Sequence, residues 1–473
     1  MEKKLFLRWR ILLLASVTTF LFVTGCNRDV ELDTEYIEEF HQVYFGDKKV
    51  PLKTGELKLY VDYSTCVSQA MSDGSTIYKD MLPILQRAKE YYSIKGSNIT
   101  LESSISSGED IYNELCNISE IDYADLPTAA EKIANGNSEA ILVTDGEYYQ
   151  QNKAKSHDNS PYLRRALKKW LGLGREIYIY CEPYVETYRG QTYNKKRFYF
   201  VFTDSEVRGN VYDIIENQIP NIEKRADVLQ YHLTASHSLL SPEGQENASV
   251  PNENLSATIL EACGYYEVQD WSQLSWKNIK KYIIGAEEDE SGNILKNGEA
   301  IISGLNIDRN TKGSCFRIDD VYLEVSNITP LYQQYCEAKN GGQKPLQIAL
   351  ENPIGDLKKY RMNNFMILDQ KEFTRTGKII VFFDKDNFDP TNLLSNSSNL
   401  LKIDIKVRQF TNAFKNNNEA RSRFEFEVLG KNGQINQSVV QSIDAVLAER
   451  DIRDMMKDRT LYTIYIFSNP SKL

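Results

Sequence analysis

The chain has 473 residues, of which 41% are hydrophobic and 26% charged, an ordinary composition for a globular protein. This length exceeds what one hydrophobic core usually supports, so we expect two or three domains. The formal net charge is −10 and the sequence has no lysine- or arginine-rich run, which argues against nucleic acid as a partner.

Residues 1–25 have the order of an export signal. Basic residues precede the apolar run ILLLASVTTFLFV, which is followed by TGC. The ending VTGC resembles a bacterial lipobox. That resemblance implies cleavage before Cys26, covalent lipid such as palmitate on Cys26, and attachment to a membrane of the bacterial cell envelope, either the outer membrane or the cell surface. A transmembrane anchor is the alternative, but the apolar run is short for a span of ~20 residues.

Six cysteines remain after Cys26, and they are widely spaced with no CxxC pair. An exported protein permits disulfides. Cys181, however, lies in an apolar strand pattern, where a thiol suits packing. We therefore interpret these cysteines mainly as buried free thiols.

Residues 26–56 are polar and acidic and are predicted to form a tether. From residue 57 to 240 the pattern alternates between strand and helix. The predicted elements, in chain order, are the strand ELKLYVDY, a helix over 77–92 disturbed by Pro83, the weak edge strand SNITLESSI, the helix PTAAEKIAN, the strand EAILVTDG, the helix SPYLRRALKKWLG with Ser160 as its N-cap, and a hairpin of two long strands around RGQ. This order predicts an α/β domain with a doubly wound, mostly parallel sheet. We expect residues 57 to about 220 to fold alone.

The remaining chain changes in character. Residues 241–295 are predicted to be a connector, and residues 296–473 to form a β-rich domain, most simply a sandwich. Typical predicted strands are SCFRIDDVYLEVSNI, KPLQIALEN, GKIIVFFDK and LLKIDIKVRQF. A single late helix, SVVQSIDAVLAERDIRDMMKD, precedes the closing strand LYTIYIFS.

Polar side chains follow two of the predicted strands in the α/β domain. Asp62, Ser64 and Cys66 come at spacing two after LYV, and Asp145 follows ILVT. Ligand sites of open α/β sheets lie beyond the carboxyl ends of the strands. We therefore expect Asp62 and Asp145 to be neighbours in the fold.

The stretches DYSTC and TDGE resemble the metal-ion-dependent adhesion site of von Willebrand factor A (vWA) domains. The resemblance places Asp62 and Ser64 at the first two motif positions, Cys66 at the third, Thr128 as the loop threonine and Asp145 at the last. It implies a bound Mg²⁺ or Mn²⁺ with an open position for a partner's carboxylate. Hydroxyls and carboxylates suit such a hard cation, whereas the Cys66 thiol is a poor ligand. Either the metal binds weakly or the site has lost it.

Further polar and aromatic residues flank the two aspartates. Tyr63, Tyr148 and Tyr149 carry amphipathic rings, and Glu147 adds an acid to the same rim. Such side chains suit a contact surface for a partner. We therefore predict that these four residues bind a protein.

The favoured function is a non-enzymatic, membrane-tethered lipoprotein that binds a protein partner through the vWA-like domain. One alternative is a metal-dependent envelope hydrolase, but an enzyme needs a general base, and no histidine lies near either motif in the sequence. Another alternative is a glycan-binding surface lipoprotein, which would present Trp271 and Trp276 on an exposed platform.

Overall fold

The structure is a computed structural model. It describes residues 36–46, 52–64, 67, 76–104, 107–116, 123–150, 153–156, 160–204, 207–235, 255–259, 264–268, 287–288, 294–295, 302–306, 315–362, 366–383 and 399–468. The predicted signal segment with Cys26, the motif residue Cys66, and the tryptophans Trp271 and Trp276 lie outside these residues. Within them, every helix is too short or too polar to span a bilayer.

The first half of the chain forms one sheet with helices around it. Its elements, in chain order, are α1 (Ile37–Tyr44), β1 (Lys53–Asp62), α2 (Thr76–Leu85), β2 (Glu90–Lys95), β3 (Asn98–Leu101), α3 (Gly108–Leu115), α4 (Leu126–Ala134), β4 (Ser138–Thr144), β5 (Tyr149–Gln150), β6 (Lys153–Ser156), α5 (Arg164–Leu171), β7 (Glu176–Tyr188), β8 (Gln191–Thr203), α6 (Val211–Gln218) and β9 (Leu229–Leu233).

The seven-stranded sheet has the order β3-β2-β1-β4-β8-β7-β9. β1 pairs in parallel with β2 and β4, and the other neighbours are antiparallel. The hairpin of β7 and β8 is confirmed. Its turn residues Arg189 and Gly190 both have positive φ, the conformation that tight hairpins require. The α/β class is thus confirmed. The expectation was a doubly wound, mostly parallel sheet; the observed sheet is mixed, with parallel pairing among β2, β1 and β4.

Two helix predictions need correction. The helix predicted over 77–92 ends at Leu85, and residues 90–95 instead form β2 beside β1, where aromatic Tyr92 stacks on Tyr60 with ring centroids 4.5 Å apart. Aromatic residues favour such strand packing over helix. Ser160 is not the N-cap of α5, because the chain makes a turn there and the helix begins at Arg164.

Helix α5 and the residue before it carry an apolar stripe that faces the core. Its side chains are all buried, and they are Leu163, Ala166, Leu167, Trp170 and Leu171. The Trp170 indole donates to the Glu176 carbonyl at 2.8 Å. This helix therefore seals one face of the sheet.

The second half contains both strands and helices. Its elements are β10 (Leu255–Ile259), β11 (Gly264–Val268), β12 (Glu287–Glu288), β13 (Ile294–Leu295), β14 (Ile302–Asn306), β15 (Phe316–Asn327), α7 (Thr329–Asn340), α8 (Pro345–Glu351), β16 (Met366–Leu368), α9 (Gln370–Thr376), β17 (Lys378–Phe383), β18 (Asn399–Asn412), α10 (Ala413–Asn416), α11 (Asn418–Phe424), β19 (Phe426–Glu427), β20 (Ile435–Asn436), α12 (Ser438–Leu447), α13 (Arg450–Asp454) and β21 (Thr460–Ser468).

A five-stranded sheet of order β10-β11-β21-β18-β15 dominates this half, beside a three-stranded sheet of order β14-β17-β16. The expectation of a single helix is wrong, since α7 to α13 are all present. The segment KPLQIALEN is helix α8 rather than a strand. Pro345 stands at its first turn, where proline's missing N–H costs nothing.

One hydrophobic core joins the two halves of the chain. It runs from residues of β4, α4 and α5 to residues of β18, α11 and α12. Phe198 of β8 lies 6.0 Å from Phe424 between ring centroids, and Tyr231 of β9 lies 5.2 Å from Phe414. The second half thus covers one face of the first sheet.

The described cysteines are free thiols, as expected. Cys181, Cys315 and Cys336 are buried, and Cys116 is half-buried. Burial raises the pKa of both Cys181 and Cys315 to about 12. These two thiols therefore stay protonated at neutral pH and act as packing groups.

Candidate functional site

Asp62 and Asp145 meet at the carboxyl ends of two neighbouring parallel strands. The register pairs Val61 of β1 with Val143 of β4, which sets the following residues side by side. The Asp62 carboxylate accepts a hydrogen bond from the Thr144 hydroxyl at 2.8 Å and one from the Ser64 backbone N–H at 2.8 Å. The predicted proximity of the two aspartates is therefore confirmed.

The turn after β4 is held in a specific conformation. The Thr144 hydroxyl accepts from Gly146 N–H at 3.0 Å, and one Asp145 oxygen, Oδ1, accepts from Glu147 N–H at 2.9 Å. Gly146 has φ +76°, and a Cβ there would lie 2.7 Å from a ring carbon of Phe198. Only glycine meets both conditions without strain, so the TDG sequence fixes where Asp145 points.

Burial shapes the electrostatics of this turn. Asp62 is 0% exposed, Asp145 1% and Glu147 3%. Burial raises the pKa of Asp62 to about 6, the hydrogen bonds from Thr144 and Ser64 oppose this rise, and the charge of Glu147 adds to it. Burial and then the charges of Asp62 and Glu147 raise the pKa of Asp145 well above its usual range. We call Asp62, Asp145 and Glu147 the acidic cluster.

One carboxylate oxygen of the acidic cluster accepts no hydrogen bond from the described residues. The Oδ2 atom of Asp145 is buried and has no hydrogen-bond partner among the residues that the structure describes. Buried polar atoms are nearly always paired, since an unpaired one costs about 1–3 kcal/mol. This oxygen therefore marks a position where a proton or another positive group would be favourable.

Lys195 of β8 supplies positive charge beside the cluster. Its side chain is 0% exposed, and its ammonium contacts Oε1 of Glu147 and donates to the Glu427 carbonyl at 3.1 Å. The charge of Lys195 lowers the pKa of Asp145, but burial raises this pKa and has the larger effect. The Lys195 ammonium therefore pairs with Glu147 and also acts on Asp145.

The sequence interpretation missed this lysine and a second buried pair next to it. Arg197 donates to Glu182 at 2.7 Å across the β7–β8 hairpin, with both side chains almost fully buried. A signal for the Arg197–Glu182 pair was present. Lys195 and Arg197 alternate on one strand while Glu182 lies opposite, and charges of opposite sign at period two across a hairpin indicate cross-strand pairing.

Two residues predicted to bind a partner are buried instead. Tyr63 is 0% exposed, and its hydroxyl donates to Glu114 at 3.0 Å. Glu147 is held by Lys195. Tyrosine and glutamate were expected at the surface because both have polar ends, but here each polar end is satisfied inside the protein. Neither side chain lies on an exposed contact surface.

The other predicted site residues do not join the acidic cluster, or their side chains lie outside the described residues. Thr128 is exposed in the first turn of α4, and its hydroxyl donates to Asp125 at 2.8 Å. Tyr148 is half-buried, with its ring 5.1 Å from that of Tyr162. Tyr149 begins β5, but its side chain, like the whole of Cys66, lies outside the described residues.

Elements of the second half lie against the same turn. A Cβ at Gly146 would be 3.4 Å from Cγ2 of Val439 in α12. The backbone N–H of Leu163, just before α5, donates to the hydroxyl of Ser442 in α12 at 3.2 Å. With the contact from Lys195 to Glu427, these contacts place β19 and α12 over the acidic cluster.

The donor set fits a divalent cation only in part. Ser64, Asp62 and Asp145 offer the hard oxygen ligands that Mg²⁺ prefers. However, both oxygens of Asp62 already accept hydrogen bonds, and Thr128 bonds elsewhere. Among the described residues, no three histidine, cysteine, aspartate or glutamate side chains are grouped so that they could hold a metal ion.

No protein-family model matches the sequence, and neither a curated protein nor a solved structure is significantly similar to it. The comparisons therefore assign no family. Arguments about function rest on the chemistry of the residues themselves.

Proposed function

We propose that this chain is a non-enzymatic lipoprotein of the bacterial cell envelope that binds a protein partner through a vWA-like α/β region. In this proposal the mature chain is tethered to a membrane by lipid on Cys26. The observation that carries the proposal is the acidic cluster at the ends of β1 and β4.

The position of the cluster supports the vWA-like interpretation. Asp62 ends strand β1 and Ser64 lies just beyond it, and Asp145 follows the neighbouring parallel strand β4. This is where open α/β sheets bind ligands. The antiparallel strands β8, β7 and β9 and the second half of the chain are not accounted for by the resemblance.

The charge of the cluster supports a binding role rather than a structural one. Three buried carboxyl groups in one turn cost folding free energy, because burial removes the hydration of charged groups. Costly arrangements of this kind are typical of functional sites. A ligand that brings positive charge to Oδ2 of Asp145 would recover part of that free energy.

A protein could bring this charge in two ways. It could insert a basic side chain, or its carboxylate could reach the cluster through Mg²⁺ or Mn²⁺. Because the donor set is incomplete, we expect a divalent cation to bind weakly. Thermal melts of the full chain with and without Mg²⁺ test this, since a cation bound only to the folded state raises the melting temperature.

Access to the cluster requires a change in the described conformation. β19 and α12 lie over the turn at Gly146, so we expect a partner to bind when these elements separate from it. The same burial argues against the hydrolase alternative. A substrate and a water molecule would both need to reach Asp62 or Asp145 through the covering elements.

The proposal predicts a partner that contacts the turn after β4. A photoreactive amino acid in place of Tyr148, which is half-buried beside this turn, is expected to cross-link one envelope protein in intact cells. Asp145→Asn in the same chain is expected to reduce that adduct about tenfold, which corresponds to the loss of one charge-assisted contact.

The control is the same photoreactive residue in place of Leu101, which is exposed at the edge of the sheet in β3. It should not yield the adduct. An adduct of unchanged yield in the Asp145→Asn chain would show that the partner does not use the acidic cluster and would overturn the proposed function.

A further inference from the structure

Two leucines on helix α8 are far more exposed than is usual for this residue. Leu346 is 70% exposed and Leu350 74%, whereas Ile348 between them is fully buried. Residues four apart share one face of a helix, so the two leucines lie side by side with Ile348 pointing away from them. We call Leu346 and Leu350 the leucine pair.

The first described helix of the chain runs beside the leucine pair. At the start of α1, the Tyr36 hydroxyl donates to the side chain of Asn340, six residues before Leu346. At its end, the Tyr44 hydroxyl donates to the carbonyl of Asn352, two residues after Leu350. α1 therefore lies along α8, and the preceding chain arrives close to the beginning of α8.

The length of that preceding chain limits how far Cys26 can be from α8. Tyr36 follows Cys26 by ten residues. An extended chain spans at most about 3.3–3.6 Å per residue, or roughly 35 Å here. A lipid on Cys26 would hold the bilayer within this distance of the edge formed by α1 and α8.

We propose that the leucine pair is a membrane-contact surface that inserts into the bilayer to which Cys26 is anchored. The inference rests on the proposed lipidation of Cys26. The contact is apolar rather than electrostatic, because the chain carries a formal net charge of −10 and would not be drawn to anionic headgroups. Interfacial helices bind bilayers through such apolar faces, and the lipid supplies the attachment while the leucine pair sets the orientation.

The test uses the mature chain, lipidated on Cys26, reconstituted in phosphatidylcholine vesicles. A cysteine at Leu350 (Leu350→Cys) is labelled with an environment-sensitive fluorophore, and nitroxide-bearing lipid serves as a quencher inside the bilayer. The matched control is Leu101→Cys, which is also an exposed leucine but lies in the first sheet. The labelled parent chain measures the background from its native cysteines, including half-buried Cys116.

The expected result is a blue-shifted emission at position 350 and quenching at least about threefold stronger than at position 101. Equal, weak quenching at both positions in vesicle-bound protein would overturn the membrane contact while leaving the tether intact. The blue shift could also appear in detergent without vesicles and grow with protein concentration. That result would show that the leucine pair contacts a second copy of the chain, and it would overturn the membrane contact. If the protein does not float with the vesicles, the proposed lipid tether on Cys26 is overturned, and the membrane contact is overturned with it.

Discussion

Replacing Lys195 with methionine is expected to lower the free energy of unfolding by about 3–5 kcal/mol at neutral pH, the usual cost of removing one partner from a buried ion pair. Methionine keeps most of the side-chain volume but removes the charge. Glu147 would lose the Lys195 ammonium, and the buried acidic cluster would lose that positive charge. Chemical denaturation of the full chain, monitored by circular dichroism, measures the loss.

Two further variants isolate the charge effect. Lys196→Met changes the neighbouring residue, whose side chain is half-exposed, and should alter stability by less than about 0.5 kcal/mol. Adding Glu147→Gln to Lys195→Met should restore part of the lost stability, because the unpaired carboxylate is then neutral. If Lys195→Met is as stable as Lys196→Met, the buried ion pair does not exist as described.

A fragment of residues 57–240 is expected to lose cooperative unfolding, in contrast to the independent folding expected from the sequence. The second half covers one face of its sheet, where Phe198 and Tyr231 contact Phe424. Removing residues 241–473 would expose this apolar face to water. A cooperative transition requires a packed core, so we expect a broad melt and rapid proteolysis.

The comparison is with the full chain under the same buffer, temperature ramp and protease concentration. The full chain should melt in one sharp transition and resist the protease. A sharp melt of the fragment, with protease resistance equal to that of the full chain, would show that the shared core contributes little and that the first half is an independent domain.

The sequence was sufficient to predict where the acidic cluster would form. Parallel strands end at the same edge of a sheet, so Asp62 after β1 and Asp145 after β4 could be placed together from the order of the elements alone. The structure adds that the turn after β4 uses the positive φ of Gly146. These features depend on local sequence and on general rules of topology.

The surroundings of the cluster could not be predicted in the same way. The contact from Lys195 to Glu147 depends on the pairing of β4 with β8, which are distant in the sequence. The packing of α12 against the turn depends on contacts between residues almost 300 positions apart, such as Leu163 and Ser442. A single sequence carries no direct signal for such contacts. The burial of Tyr63 likewise depends on a distant partner, Glu114.

The misassigned helix α8 shows how a pattern can mislead. Leu346, Ile348 and Leu350 alternate with more polar residues, and this period of two indicates a strand. In the helix, the same spacing puts Ile348 in the core and leaves the two leucines exposed. The alternating pattern therefore corresponds to one buried and two exposed positions on a helix, not to the two faces of a strand.

If the acidic cluster is kept for binding rather than for stability, removing the charge of Asp145 should stabilise the folded protein. The variant Asp145→Asn tests this expectation. The unfolded-state pKa of Asp145 is near 3.8 and the folded-state pKa lies well above it. The folded protein therefore holds this proton more tightly, and it loses stability relative to the unfolded chain as pH rises from about 4 through the folded-state pKa. Asparagine retains an acceptor for Glu147 N–H and carries no charge.

The measurement is the free energy of unfolding of the parent chain and of Asp145→Asn at about pH 8 and about pH 4. A cluster kept for binding predicts that the variant is more stable by about 1–3 kcal/mol at the higher pH, a typical size for one buried substitution, and that the difference shrinks at the lower pH, where the parent is protonated. A variant that is less stable than the parent at both pH values would contradict the claim, because the Asp145 carboxylate would then be a structural group.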